Sequence, residues 1–213
     1  MPKDFNIAIR KRTIKQLLVA PFFLIILVGG WFYPLLGFFI PLCMLAGLGL
    51  ALFRGRKWCD WYCPRGSFYD SAMKRLSPQQ EIPWLFKNIK FRIAVLVFLI
   101  SVMFFNLILR WPDAQKIGKF FVILITTTSI LGIILAFMFH QRSWCSFCPI
   151  GTVISLISKN VYPLKIDSTL CIGCGVCYKV CPMQMKPLKD GDCLKCNLCI
   201  SACPKLALTR SRK

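Results

Sequence analysis

Residues 17–53, 91–109 and 120–139 are almost wholly apolar, and blocks of that length belong in lipid. A membrane-crossing helix needs about 20 apolar residues, because it must pair every backbone polar group within itself. The first block has room for two such spans. It is broken at Gly29-Gly30, Tyr33-Pro34 and Gly37, which predicts a tight turn near Pro34. One span followed by a re-entrant segment is the alternative. The other two blocks supply a third and a fourth span, joined by the short polar stretch RWPDAQKIGK. Hydrophobic residues make up 56% of the 213, more than globular chains use. A net charge of +20 would suggest nucleic acid in a soluble chain. Here the charges lie between and beyond the apolar blocks, so topology explains them. Membrane lipid, and no nucleic acid, is the expected partner.

The basic residues also set the orientation. Lys3, Arg10, Lys11, Arg12 and Lys15 precede the first span, and Arg54, Arg56, Lys57, Arg65, Lys74, Arg75, Lys87 and Lys90 fill the loop between the second and third. Arg142, Lys159, Lys165 and a basic tail follow the fourth. The opposite loop holds only Arg110, Lys116 and Lys119. Positive residues stay inside, so both termini are expected in the cytoplasm. Residues 1–16 read as a basic cytoplasmic N-terminus ahead of an anchor, not as a removed signal peptide.

The chain repeats itself. Arg56-Lys57-Trp58-Cys59 leads to Cys63-Pro64-Arg65-Gly66-Ser67, and Arg142-Ser143-Trp144-Cys145 leads to Cys148-Pro149-Ile150-Gly151-Thr152. Each copy follows a pair of spans, so residues 17–153 read as a duplicated two-helix hairpin. Cys59, Cys63, Cys145 and Cys148 should all lie at one membrane face. They would close one all-cysteine site for a third cluster or a metal, act as redox-active dithiols, or be packed thiols at helix starts. Residues 154–168 read as an interfacial helix and linker, with a packed connector as the alternative.

Eight of the 13 cysteines lie in residues 169–213. Cys171-Ile-Gly-Cys174-Gly-Val-Cys177-Tyr-Lys-Val-Cys181-Pro182 has the pattern C-x2-C-x2-C-x3-C-P, and Cys193-Leu-Lys-Cys196-Asn-Leu-Cys199-Ile-Ser-Ala-Cys203-Pro204 repeats it. This segment resembles the bacterial two-cluster ferredoxins. The resemblance implies one [4Fe–4S] cluster on Cys171, Cys174, Cys177 and Cys203, and a second on Cys193, Cys196, Cys199 and Cys181. Paired zinc sites are the alternative reading of the same thiols. Cys43 sits inside a span as a small core residue.

His140 is the one histidine, so a haem held between two histidines is excluded for this chain, and no haem is expected. It reads as a quinone contact or as an interfacial cap. Thr126, Thr127, Thr128 and Ser129 read as helix-packing hydroxyls. No nucleotide-binding glycine loop and no flavin motif stand out.

The whole chain resembles the NapH-type membrane ferredoxins, or polyferredoxins, a group that includes the membrane portion of the NosR regulators. The resemblance rests on the four spans, the paired W-C-x(n)-C-P motifs and the tandem cluster motif. The second hairpin motif has two residues between its cysteines where that family carries three. It implies a mainly α membrane protein with about four transmembrane helices plus a small α+β ferredoxin-like C-terminal domain. It also implies a multi-pass place in a bacterial or archaeal cytoplasmic membrane. Its implied role is electron transfer between the quinone pool, or a membrane partner, and redox proteins, as a component or quinol dehydrogenase subunit and with no catalytic residue assigned. A redox-sensing or metal-site maturation protein is the alternative.

Overall fold

The computed structural model describes residues 3–158, 161–185 and 192–210. Four helices in it are long and apolar enough to cross a membrane. Helix α1 (Lys3–Phe32) turns through a 3-10 segment (Pro34–Phe38) into α2 (Phe39–Arg54). Pro34 opens that turn where its missing N–H costs nothing. Helices α6 (Ile89–Arg110) and α7 (Ala114–Met138) form the second hairpin. Each begins on a side-chain cap: Asn88 accepts from the Lys90 N–H, and Asp113 accepts from those of Gln115 and Lys116. Between 6% and 33% of each span's most apolar window is buried inside the protein, so most of that surface faces outward. Exposed apolar area on this scale is stable against lipid, not water.

Polarity did not break the first helix. Residues 3–16, expected to precede the anchor, form its opening turns. No helix breaker interrupts them, and the buried side chains of Arg12 and Gln16 tie them to the rest of the protein. Phe5, at the start of α1, packs on Leu198 and Ala202 of the C-terminal module.

The two hairpins meet through glycine. A Cβ on Gly118, in the first turns of α7, would stand 2.2 Å from the Pro34 carbonyl oxygen, and one on Gly37 would stand 2.2 Å from that of Gly118. Backbone cannot yield as a side-chain tip can. Gly118→Ala should therefore cost about 1–3 kcal/mol, read as a lower melting temperature in mild detergent. Gly49→Ala, where a Cβ meets nothing within 4 Å inside α2, serves as the control and should not lower the melt.

Short helices gather between the hairpins and the C-terminal module: α3 (Lys57–Trp61), α4 (Pro64–Phe68), a π-helical turn (Tyr69–Met73), α5 (Trp84–Lys87), α8 (Ser143–Phe147) and α9 (Pro149–Ile157). Residues 154–157, expected to open an interfacial helix and linker, complete α9, with Ile154 wholly buried and Leu156 and Ile157 exposed. Lys159 lies outside the described residues. The module holds α10 (Val176–Lys179), α11 (Leu198–Ala202) and an antiparallel pair, β1 (Leu164–Ile166) with β2 (Leu208–Arg210). Its first strand thus precedes residue 169, where the cysteine pattern had placed the boundary. The 186–191 part of the stretch between Cys181 and Cys193 is likewise outside the described residues.

Candidate functional site

The hairpin motifs interlock. Cys63 and Cys148 cap α4 and α9, with Pro64 and Pro149 in the first helical positions. The arginine that opens each motif reaches the other one. Arg56 Nη2 donates to the Cys145 carbonyl at 3.1 Å, and Arg142 Nη1 donates to the Cys59 carbonyl at 3.0 Å. The glycine of each C-P-x-G leaves room for the visiting guanidinium. A Cβ on Gly66 would lie 3.2 Å from Arg142 Nη1, and one on Gly151 would lie 2.7 Å from Arg56 Nη2. The structure thus brings Cys59, Cys63, Cys145 and Cys148 into one neighbourhood. Burial pushes the Cys63 thiol up to about 12, and the nearby Cys59, Cys145 and Cys148 push it the same way. Burial also raises Cys59 and Cys145, against the opposing pull of Arg56 and Arg142.

A buried charge network surrounds these thiols. Arg142 donates to Asp70 from Nε at 2.9 Å and from Nη2 at 2.5 Å. Arg12, from the polar start of α1, pairs with both Asp70 and Asp60. Gln16 Nε2 adds a bond to Asp70 at 2.8 Å. The two arginines hold the Asp70 carboxyl well below the usual carboxylate range, although burial opposes this. Asp70 is buried within the π-helical turn. Around the second motif, Asp192 of the C-terminal module pairs with Arg56 at 2.9 Å and with Arg92 at 2.6 Å. Four buried arginines thus meet three carboxylates among the described residues, leaving a positive surplus beside the thiols. Sequence reasoning found the cysteines, Arg56 and Arg142, but not Arg12, Arg92 or Asp192. The available signal was an arginine inside the first turns of each hairpin, facing away from lipid.

His140 is buried and shapes the second motif. Its Nδ1 accepts from the Arg142 N–H at 3.2 Å, and burial lowers its pKa to about 4, so it is neutral. This bond holds the turn that leads into α8. Thr126, Thr128 and Ser129 bond back to carbonyls of their own helix. Thr128 also receives Arg65, and the Ser129 carbonyl receives Tyr69 at 3.2 Å. Cys43 is half-buried in α2.

In the module, both cysteine repeats wrap the same way. Gly173 and Gly175 in the first, and Lys195 and Asn197 in the second, have φ between +57° and +69°. Gln184 and Leu206, each three residues past a closing cysteine, also have positive φ. Such left-handed residues turn successive N–H groups toward one centre. The Lys195 N–H lies 3.4 Å from Cys193 Sγ, and the Met185 N–H lies 3.5 Å from Cys181 Sγ. One cavity is lined by Cys171, Cys174, Cys177 and Cys203, the other by Cys193, Cys196, Cys199 and Cys181. The donor sets therefore suit two cubanes, each completed by a cysteine from the other repeat. Among the described residues no three cysteine, histidine or acidic side chains could hold a single metal ion. A cubane spreads its thiolates over separate irons and takes them farther apart. The first cavity opens outward, with Cys171 and Cys174 exposed. The second faces the hairpins: burial raises the Cys196 thiol, and Asp60 raises it further.

Tandem C-P-terminated cysteine repeats beside four apolar helices define an iron–sulfur membrane protein. A family model described as a 4Fe-4S binding domain matches residues 36–90 and 120–166, one hairpin motif each. Two further 4Fe-4S binding domain models match residues 164–185 and 191–206. An uncharacterized protein of Methanocaldococcus jannaschii is 31% identical over 179 residues, 76% of this chain and 74% of that one. The ferredoxin-type protein NapH of Haemophilus influenzae is 29% identical over 158 residues, 70% of this chain and 53% of that one. The methylamine utilization ferredoxin-type protein MauN of Methylobacillus flagellatus is 26% identical over 140 residues, 62% of this chain and 50% of that one. The chain thus spans about half the length of the two named ferredoxin-type relatives. No solved structure matches it. The chain belongs to the NapH-type family of membrane 4Fe-4S ferredoxins.

Proposed function

We propose that this chain is a membrane-anchored electron-transfer protein that links the quinone pool, or a membrane partner, to redox proteins at the cytoplasmic face. When bound, [4Fe–4S] clusters would supply one-electron carriers at three places. Cys59, Cys63, Cys145 and Cys148 would hold the centre nearest the membrane. Cys193, Cys196, Cys199 and Cys181 would hold the middle one, and Cys171, Cys174, Cys177 and Cys203 the outermost. The observation that carries this reading is the interlock of the two hairpin motifs beside Cys196.

The chemistry of the hairpin thiols favours a cluster over redox-active dithiols. An anionic four-thiolate centre would be offset by Arg56 and Arg142 and by the surplus charge of the network. Both hairpins matching 4Fe-4S binding models points the same way. The basic loops support a cytoplasmic position for the termini and the module. The exposed rim of the outermost site, with Leu170 and Ile172, is the face a soluble redox partner would approach.

Anaerobically purified protein should carry about twelve irons per chain, four per cubane. Iron analysis with low-temperature EPR of the reduced protein checks this. About eight would confine clusters to the module, and zinc in place of iron would sink the reading.

A further inference from the structure

The two hairpin motifs differ where their charges are balanced. In the first repeat, Asp60 follows Cys59, and Asp70 lies seven residues past Cys63. The matching positions of the second repeat are Ser146, after Cys145, and Ser155, seven residues past Cys148. Yet two arginines are buried around the second motif as well, one of them reaching in from the first. Arg56 and Arg92 are 1% and 4% exposed. Two buried guanidinium groups without a counter-charge are strongly unfavourable. A serine and a threonine hydroxyl orient Arg92 but bring no charge: its Nη2 donates to Ser155 Oγ at 3.0 Å and its Nε to Thr152 Oγ1 at 3.3 Å. The missing carboxylate arrives from outside the repeat. Asp192 Oδ1 accepts from Arg56 Nη1 at 2.9 Å, and its Oδ2 accepts from Arg92 Nη1 at 2.7 Å. The next residue is Cys193.

We propose that Asp192 is a docking carboxylate: from the cluster module it fills the place that Asp70 fills in the first repeat, and so fixes residues 193–199 against the hairpin cysteines. The reading rests on the proposed function only in that this junction is where electrons would pass. The second hairpin is completed by the module, so the two parts lock together only in one register. Other contacts hold the module as well. Phe5 packs on Leu198, and Lys87 Nζ donates to the Gln184 carbonyl at 3.1 Å. Asp192 sets the position of the inner cysteine set within that attachment.

The test uses the full chain with its clusters, in lipid nanodiscs, read by hydrogen exchange. Asp192→Asn should speed exchange about tenfold or more in both residues 192–199 and 149–157. An aspartate in place of Ser155 reaches the same guanidinium, so Asp192→Asn combined with Ser155→Asp should restore protection to 149–157. It should leave 192–199 exchanging fast, because the counter-charge is back but the tether is not. Asp192→Glu should keep both segments near the wild-type rates. Wild-type exchange at 192–199 in the double variant would overturn the proposal and make Asp192 a counter-charge only. Loss of iron from the double variant would also overturn it, assigning Asp192 to cluster retention. If the single variant does not accumulate, the double variant decides alone. Exchange does not depend on electron transfer, so failure of the electron-transfer reading would show separately, as a wild-type protein that no membrane donor reduces.

Discussion

Asp70→Asn should cost this protein about 3–5 kcal/mol, enough to remove most of the stability of the hairpin interface. The carboxylate is buried and takes Arg12, Arg142 and Gln16 at once. Asparagine keeps the shape and removes the charge, leaving both guanidinium groups to Asp60, which is 3.6 Å from Arg142. Breaking one side of a buried ion network strands the other side without water. The pH dependence identifies the group. The folded-state pKa of Asp70 is depressed, so its contribution is fully present above the unfolded carboxylate value and is lost as pH falls through the folded one. The gap between wild type and variant should therefore be equal at about pH 5.5 and about pH 8, and shrink only below about pH 4. Melting temperatures in detergent at both pH values check this. A gap present at only one of the two would mean that the charge of Asp70 is not its source.

The spans were legible because lipid imposes one solution on a long apolar block, and Pro34 marked the turn between the first two. The cluster module was legible because its eight cysteines carry their chemistry in their spacing. The start of α1 was not. Lys11, Arg12 and Lys15 look like a polar tail, and polarity reports where lipid ends, not where a helix ends. The boundary at residue 169 missed β1 because strand pairing with Leu208–Arg210 is a long-range contact that no local pattern announces. The charge network was hidden for the same reason. Arg12 and Asp70 are distant in sequence, and nothing local to either announces the other. The repeat itself held the missing clue: Asp60 and Asp70 have serine counterparts while both arginines are kept. That asymmetry asks for a carboxylate from elsewhere, and only the folded chain shows it to be Asp192.

Replacing Cys145 by serine should cut electron entry from the membrane side while sparing the module. The motif sits between the spans and Cys196, so a carrier at that place would receive electrons at membrane depth and stand next to the middle cysteine set. Serine is close to cysteine in size, and Arg142 reaches Cys145 Sγ only weakly, at 3.8 Å, so the fold should survive. The carbonyl that receives Arg56 belongs to the backbone and is kept. What is lost is a thiolate ligand. Cys59→Ser should behave the same way if, as proposed, the two motifs contribute equivalent thiols to one centre. In both variants iron should fall by about four per chain, and the two module clusters should remain reducible by dithionite. If the hairpin centre is the first carrier, as proposed, reduction of those clusters by a quinol in membranes should become at least about 100-fold slower than in wild type, because tunnelling past a missing carrier falls steeply with distance. Unchanged iron together with a wild-type rate of quinol-driven reduction would show the hairpin thiols to be packing groups. Loss of the module clusters as well would show that the hairpin centre supports assembly of the module, and that the three sites are not independent.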